Sequence, residues 1–100
     1  MLPSDFRWRS VASRPDGLPD ALLCDGVEVL RLNQRVDDHV WWVSVDRHLP
    51  GDRVKGRVCT SYEQGVIGSE LWAARHQDRL RREVHQQRRL REALKMQGRK

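Results

Sequence analysis

Apolar positions along the 100-residue chain change period once, near residue 60: short alternating runs come before it, and spacings of three and four after it. DFRWRSV sets Phe6 and Trp8 against Arg7 and Arg9, which predicts a short half-buried strand or an extended arm. SRPDGLPDA follows and reads as a loop, because proline withholds a backbone donor and glycine opens unusual φ values. In ALLCDGVEVLRL the Asp25-Gly26 pair sits between apolar and β-branched residues, a hairpin signal that predicts strands over 21–24 and 27–33.

After the turn NQRVDDH a third strand is expected over 40–46. Side chains alternate between faces, so Trp41, Val43 and Val45 point to the core and Val40, Trp42, Ser44 and Asp46 away from it. Adjacent Trp41 and Trp42 cannot both enter one core, and the N-terminal arm, through Phe6 or Trp8, is the expected cover for Trp42. RHLPGDRVKG is a loop around Pro50-Gly51, and RVC is a brief fourth strand or the lead into a helix.

From Thr60 the spacing is helical. Thr60 with Glu63, or Ser61 with Gln64 one residue later, fits a capping box, in which the two side chains satisfy free amides at the helix start. Tyr62, Val66, Ala73, Leu80 and Val84 fall on one narrow stripe. Ile67, Leu71 and Ala74 form a second, and Trp72 lies on a third side. Residues 62–74 are therefore expected to be buried on most of their circumference and later ones on one side at most. Gly65 and Gly68 lower helix propensity by about 1 kcal/mol each, which points to close approach of helix and sheet, onto an indole ring for instance.

Nothing from Ser61 to Gln97 breaks a helix, and Gly98 offers a stop. At 1.5 Å per residue such a helix would span roughly 55 Å, whereas a compact domain of this size is only about 30 to 35 Å across. The helix should overrun the body it packs on. Leu80, Val84, Leu90 and Leu94 are apolar anchors, but Gln87 and Arg91 interrupt the seam, so a long coiled coil is poorly supported. The fold class is α+β: an antiparallel meander of three strands, or four with the N-terminal one, packed on a long C-terminal helix. Trp41, Val43, Val45, Val29, Tyr62, Val66 and Leu71 are the expected core members.

Charge sharpens this picture. Residues 1–74 hold 9 Lys/Arg against 11 Asp/Glu, and residues 75–100 hold 10 against 3, so the whole basic excess lies in the last quarter of the chain. The expectation is a single domain in which residues 1–74 form the core and residues 75–100 a basic helical extension. Arg75, Arg79, Arg81, Arg82, Arg88, Arg89 and Arg91 surround that extension, which suits diffuse attraction to a polyanion better than base reading. Trp42 on the outer sheet face could stack on a base or clamp a partner. No apolar run reaches the ~20 residues of a membrane span, and the N-terminus has no secretory pattern, so a cytoplasmic protein without a membrane partner is expected.

Catalytic signals are few. His39, His48, His76 and His85 fit no metal-binding spacing, and GVIG lacks the lysine of a nucleotide loop. Cys24 and Cys59 form no CxxC pair and read as buried or half-buried thiols in a reducing compartment. Neither a cofactor nor a metal is expected. A Cys-His enzyme is the outlying alternative.

The runs LLCDGVEVLRL, HVWWVSV and TSYEQGVIGSELWAARH together resemble, over residues 21–76, the βββα layout of small DNA-binding domains of the phage integrase arm and AP2-like type. That resemblance implies a sheet backed by one helix, with the open sheet face entering a DNA groove. The chain also looks like small orphan proteins of phages and prophages. The three strands of this layout offer Arg31 and Arg47 as the main cations against Glu28, Asp37, Asp38 and Asp46, so charge directs the partner to the helix rather than the sheet. A non-enzymatic module is expected, one that engages nucleic acid, or else an acidic protein, through residues 75–95. The alternative is a protein-interaction module that forms a homodimer through the helix.

Overall fold

Asp25 and Gly26 both take positive φ, 49° and 83°, the conformation that lets a two-residue loop follow the right-handed twist of its strands. The hairpin they close is the centre of the fold. In the computed structural model, which describes residues 2–11 and 16–97, it is flanked by further antiparallel strands on both sides. The elements are β1 (Phe6–Arg9), β2 (Ala21–Cys24), β3 (Val27–Gln34), β4 (Trp41–Val45), a short 3-10 turn (Gly51–Arg53), β5 (Lys55–Cys59) and α1 (Tyr62–Gln97). The strands form one five-stranded sheet in the order β1-β2-β3-β4-β5. The α+β class holds, but the sheet has five strands rather than three or four. Both DFRWRSV and RVC supply edge strands.

Register fixes the two faces. Phe6 pairs with Cys24 and Trp8 with Leu22, Leu22 with Leu30, and Leu30 and Leu32 with Val45 and Val43, so these side chains share the face that α1 covers. Leu22 opposes Leu30 while Leu23 opposes Glu28, which leaves Val29 as an extra residue in β3. Such a bulge turns two consecutive residues to one side. It explains how Val29 and Leu30, neighbours in sequence, are both fully buried.

α1 begins where Ser61 Oγ accepts the Gln64 N–H at 3.1 Å, so Ser61 rather than Thr60 caps it. Gly65, Ser69, Ala73, Leu80 and Val84 form its buried seam. The first three are small, and the helix backbone therefore lies close to β3. A methyl group at Gly65 would stand 2.6 Å from Leu32 Cδ2, so the close approach is made onto a leucine and not onto an indole. Gly68 faces open space.

This narrow seam corrects the expected core. Val29 is buried, but Trp41, Val43, Val45, Tyr62 and Val66 are half-buried, and Leu71 is 61% exposed. Ile67 is exposed with it, since a helix seated on small residues buries one stripe and not two. Trp41 packs edge-on against Tyr62, ring centroids 5.2 Å apart, and the Tyr62 hydroxyl donates to Pro19 O. The molecule measures 50 × 28 × 25 Å, and its long axis reflects the overrun of α1.

Candidate functional site

The meander brings Asp5 before β1, Asp25 in the β2–β3 loop and Asp46 after β4 to one end of the sheet, and the second half of α1 passes over that end. Arg81 binds Asp5 through two contacts, Nε to Oδ2 at 2.6 Å and Nη2 to Oδ1 at 2.9 Å. Arg79 reaches Asp46 at 3.0 Å and Glu83 at 2.9 Å, and Arg88 binds the Asp25 carboxylate at 2.9 Å and donates to its backbone oxygen. Arg81 also lies over the Phe6 ring, 5.9 Å from its centroid. The Arg81 hydrogen bonds hold the Asp5 carboxyl below the usual carboxylate range, and Asp5 in turn raises Arg81.

Arg79, Arg81 and Arg88, expected to await a partner, are thus engaged with carboxylates of the same chain. Acidic side chains at one sheet end lie under the helix and take up its charge. Arg75, Arg82, Arg89 and Arg91 are exposed and make no ion pair among the described residues.

The opposite face of the sheet carries what the helix has lost. Register places Arg7 and Arg9, Leu23, Glu28, Arg31 and Asn33, Trp42, Ser44 and Val58 on it. Arg47 joins them by binding Glu28 at 2.6 Å and Ser44 Oγ at 3.2 Å. Glu28 also accepts from Arg31 at 2.6 Å, so one carboxylate is shared by two guanidiniums. Arg7 and Arg9 have no acidic partner among the described residues. The strands from β2 to β4 are poor in cations, and β1 adds this pair.

Trp42 is not covered by the N-terminal arm. Phe6 and Trp8 lie on the helix side, at the far edge of the sheet, and Trp8 Nε1 donates there to Glu70 Oε2 at 2.8 Å. The indole of Trp42 rests instead on Gly56 of β5, where an added Cβ would meet its ring carbons at 3.6 and 3.7 Å. It borders a recess of about 420 Å³ lined by Arg35, Trp42, Gly56, Arg57 and Val58. Arg35 pairs with Asp38 at 3.4 Å on the surface; Arg57 has no ion-pair partner among the described residues. Asp38 accepts the Val40 N–H, which with Arg35 keeps its pKa below the ordinary value.

No family model, curated protein or solved structure matches the chain. The assignment of a function therefore rests on the geometry itself.

Two further clusters complete the chemistry. Burial, together with the nearby Asp5 charge, pushes the Cys24 thiol up to about 11, and burial raises Cys59 as well; neither is poised as a thiolate. Asp46, His48 and Glu83 place ligand-type atoms within 4.8 Å of one another, an arrangement invisible to sequence spacing because it joins a loop to α1. Arg79 binds both of those carboxylates, and His48 Nε2 contacts Glu83 at 2.7 Å, so a guanidinium already stands where a metal cation would act.

Proposed function

We propose that the chain is a non-enzymatic binding module whose open sheet face takes up nucleic acid. The observation that carries this reading is the gathering of Arg7, Arg9, Arg31, Arg35 and Arg47 on one sheet face, where Glu28 and Asp38 are the paired carboxylates, with a half-buried Trp42 on the same face. Cations interleaved with an aromatic suit a phosphate backbone and its bases together. The likeness to integrase arm-type and AP2-like domains favours the same surface, since there too the sheet is the contact. A role in a phage or prophage belongs to this reading on resemblance alone. Arg75, Arg82, Arg89 and Arg91 add long-range attraction.

The test is a salt titration with random-sequence DNA. On duplex DNA, log K should fall by about 0.9 per phosphate neutralised against log salt, and replacing Arg7 and Arg9 by alanine should flatten the slope by roughly two. Affinity indifferent to salt would refute the proposal.

A second reading, self-association or capture of an acidic protein, is favoured by the tip of α1. Leu90 and Leu94 lie on the helix beyond the sheet, where the polar Gln87 and Arg91 interrupt the seam, and are 63% and 67% exposed.

A further inference from the structure

Resting on the nucleic-acid reading, we infer that Trp42 is a stacking platform for one unpaired base, so that the sheet face selects single strands over duplex. Three observations lead there. The half-buried indole stands on the open face beside Val58 and lies over Gly56, which has no side chain to cover the part of the ring left exposed. Among the described residues its recess is lined by Arg35 and by no carboxylate, so a phosphate flanking a stacked base meets a cation. The ion pair at its rim, Arg35 with Asp38, is long and exposed at 3.4 Å, a contact that yields readily to a phosphate.

Duplex DNA hides the faces of its bases inside the stack and offers this site only phosphates. An unpaired base offers the π-face that an indole can cover, whatever its sequence. Single-stranded DNA and RNA share that chemistry and differ in the 2′-hydroxyl.

The experiment compares wild type, Trp42→Leu and Trp42→Phe for binding of labelled oligo-dT, oligo-rU and a duplex of equal length, at low salt, with polyglutamate as competitor. Leucine keeps apolar bulk on Gly56 but has no π-face; phenylalanine keeps one. Stacking predicts that Trp42→Leu weakens single-strand binding about 5- to 150-fold, leaves duplex binding within about twofold, and is largely rescued by Trp42→Phe. Polyglutamate, which has charge without bases, should compete poorly. A difference between oligo-dT and oligo-rU reports the 2′-hydroxyl and the thymine methyl together, and equal response marks a site indifferent to both; either result supports the inference.

Unchanged single-strand affinity in Trp42→Leu, or an equal loss on duplex, overturns the stacking site and leaves the basic face standing. Absence of wild-type binding to any of the three nucleic acids overturns both. Should Trp42→Leu fail to fold, tryptophan fluorescence decides: quenching by oligo-dT in wild type that disappears in Trp42→Phe supports the platform, and quenching that persists assigns it to another tryptophan and overturns it.

Discussion

Gly65 and Gly68 stand about one turn apart on α1 and have opposite roles. At Gly65 the helix is seated on Leu32, itself almost fully buried, and a methyl group would enter at 2.6 Å. Gly65→Ala should therefore lose about 1 to 3 kcal/mol to overpacking, against which the improved helix propensity returns only about 1. At Gly68 there is space, and Gly68→Ala should stabilise by about 0.5 to 1 kcal/mol. Denaturant midpoints of the two variants, moving in opposite directions, check this. Leu80→Ala, in the same seam but fully buried, should lose about 2 to 5 kcal/mol in the same assay.

Among the elements, the central hairpin and the helix were readable because their signals are local: Asp25-Gly26 specifies a turn, and a hydroxyl at Ser61 followed by an unbroken period specifies α1. The edge strands were less so. KGRVC has no apolar alternation and is extended because β4 pairs with it, from Trp41 opposite Cys59 to Val45 opposite Lys55. DFRWRSV announces a strand but not its neighbour, and because that neighbour is β2, Phe6 and Trp8 lie at the far edge from Trp42. The ion pairs were hidden for a related reason: Asp5, Asp25 and Asp46 are far apart in sequence and meet only because alternate loops of a meander share an end. The Asp5–Arg81 contact has a pH signature. The folded-state pKa of Asp5 lies below its ordinary value of 3.8, so its contribution is complete above that value and is lost as pH falls through the lower folded one. The melting temperature of Asp5→Asn should lie below that of wild type at neutral pH, and the gap should close below about pH 4.

At the scale of the molecule, folding redistributes charge that the sequence had segregated. The net +5 is unchanged, but part of the helical excess is absorbed at one end of the sheet, and accessible cations remain on the uncovered sheet face, on the outer side of α1 and along the β5 edge. From Arg89 to Met96 the helix is exposed throughout. Removing residues 89–97 should leave the melting temperature nearly unchanged, and sedimentation of the truncated and full chains tests whether Leu90 and Leu94 join copies. The margins of the sheet add a last constraint. One rim carries Arg7 and Arg9 and the other Lys55 and Arg57, each with a row of backbone amides and carbonyls that no neighbouring strand among the described residues satisfies. Two copies meeting rim to rim would crowd guanidinium and ammonium groups together, so extension of the ribbon from molecule to molecule is opposed by repulsion that only concentrated electrolyte relieves.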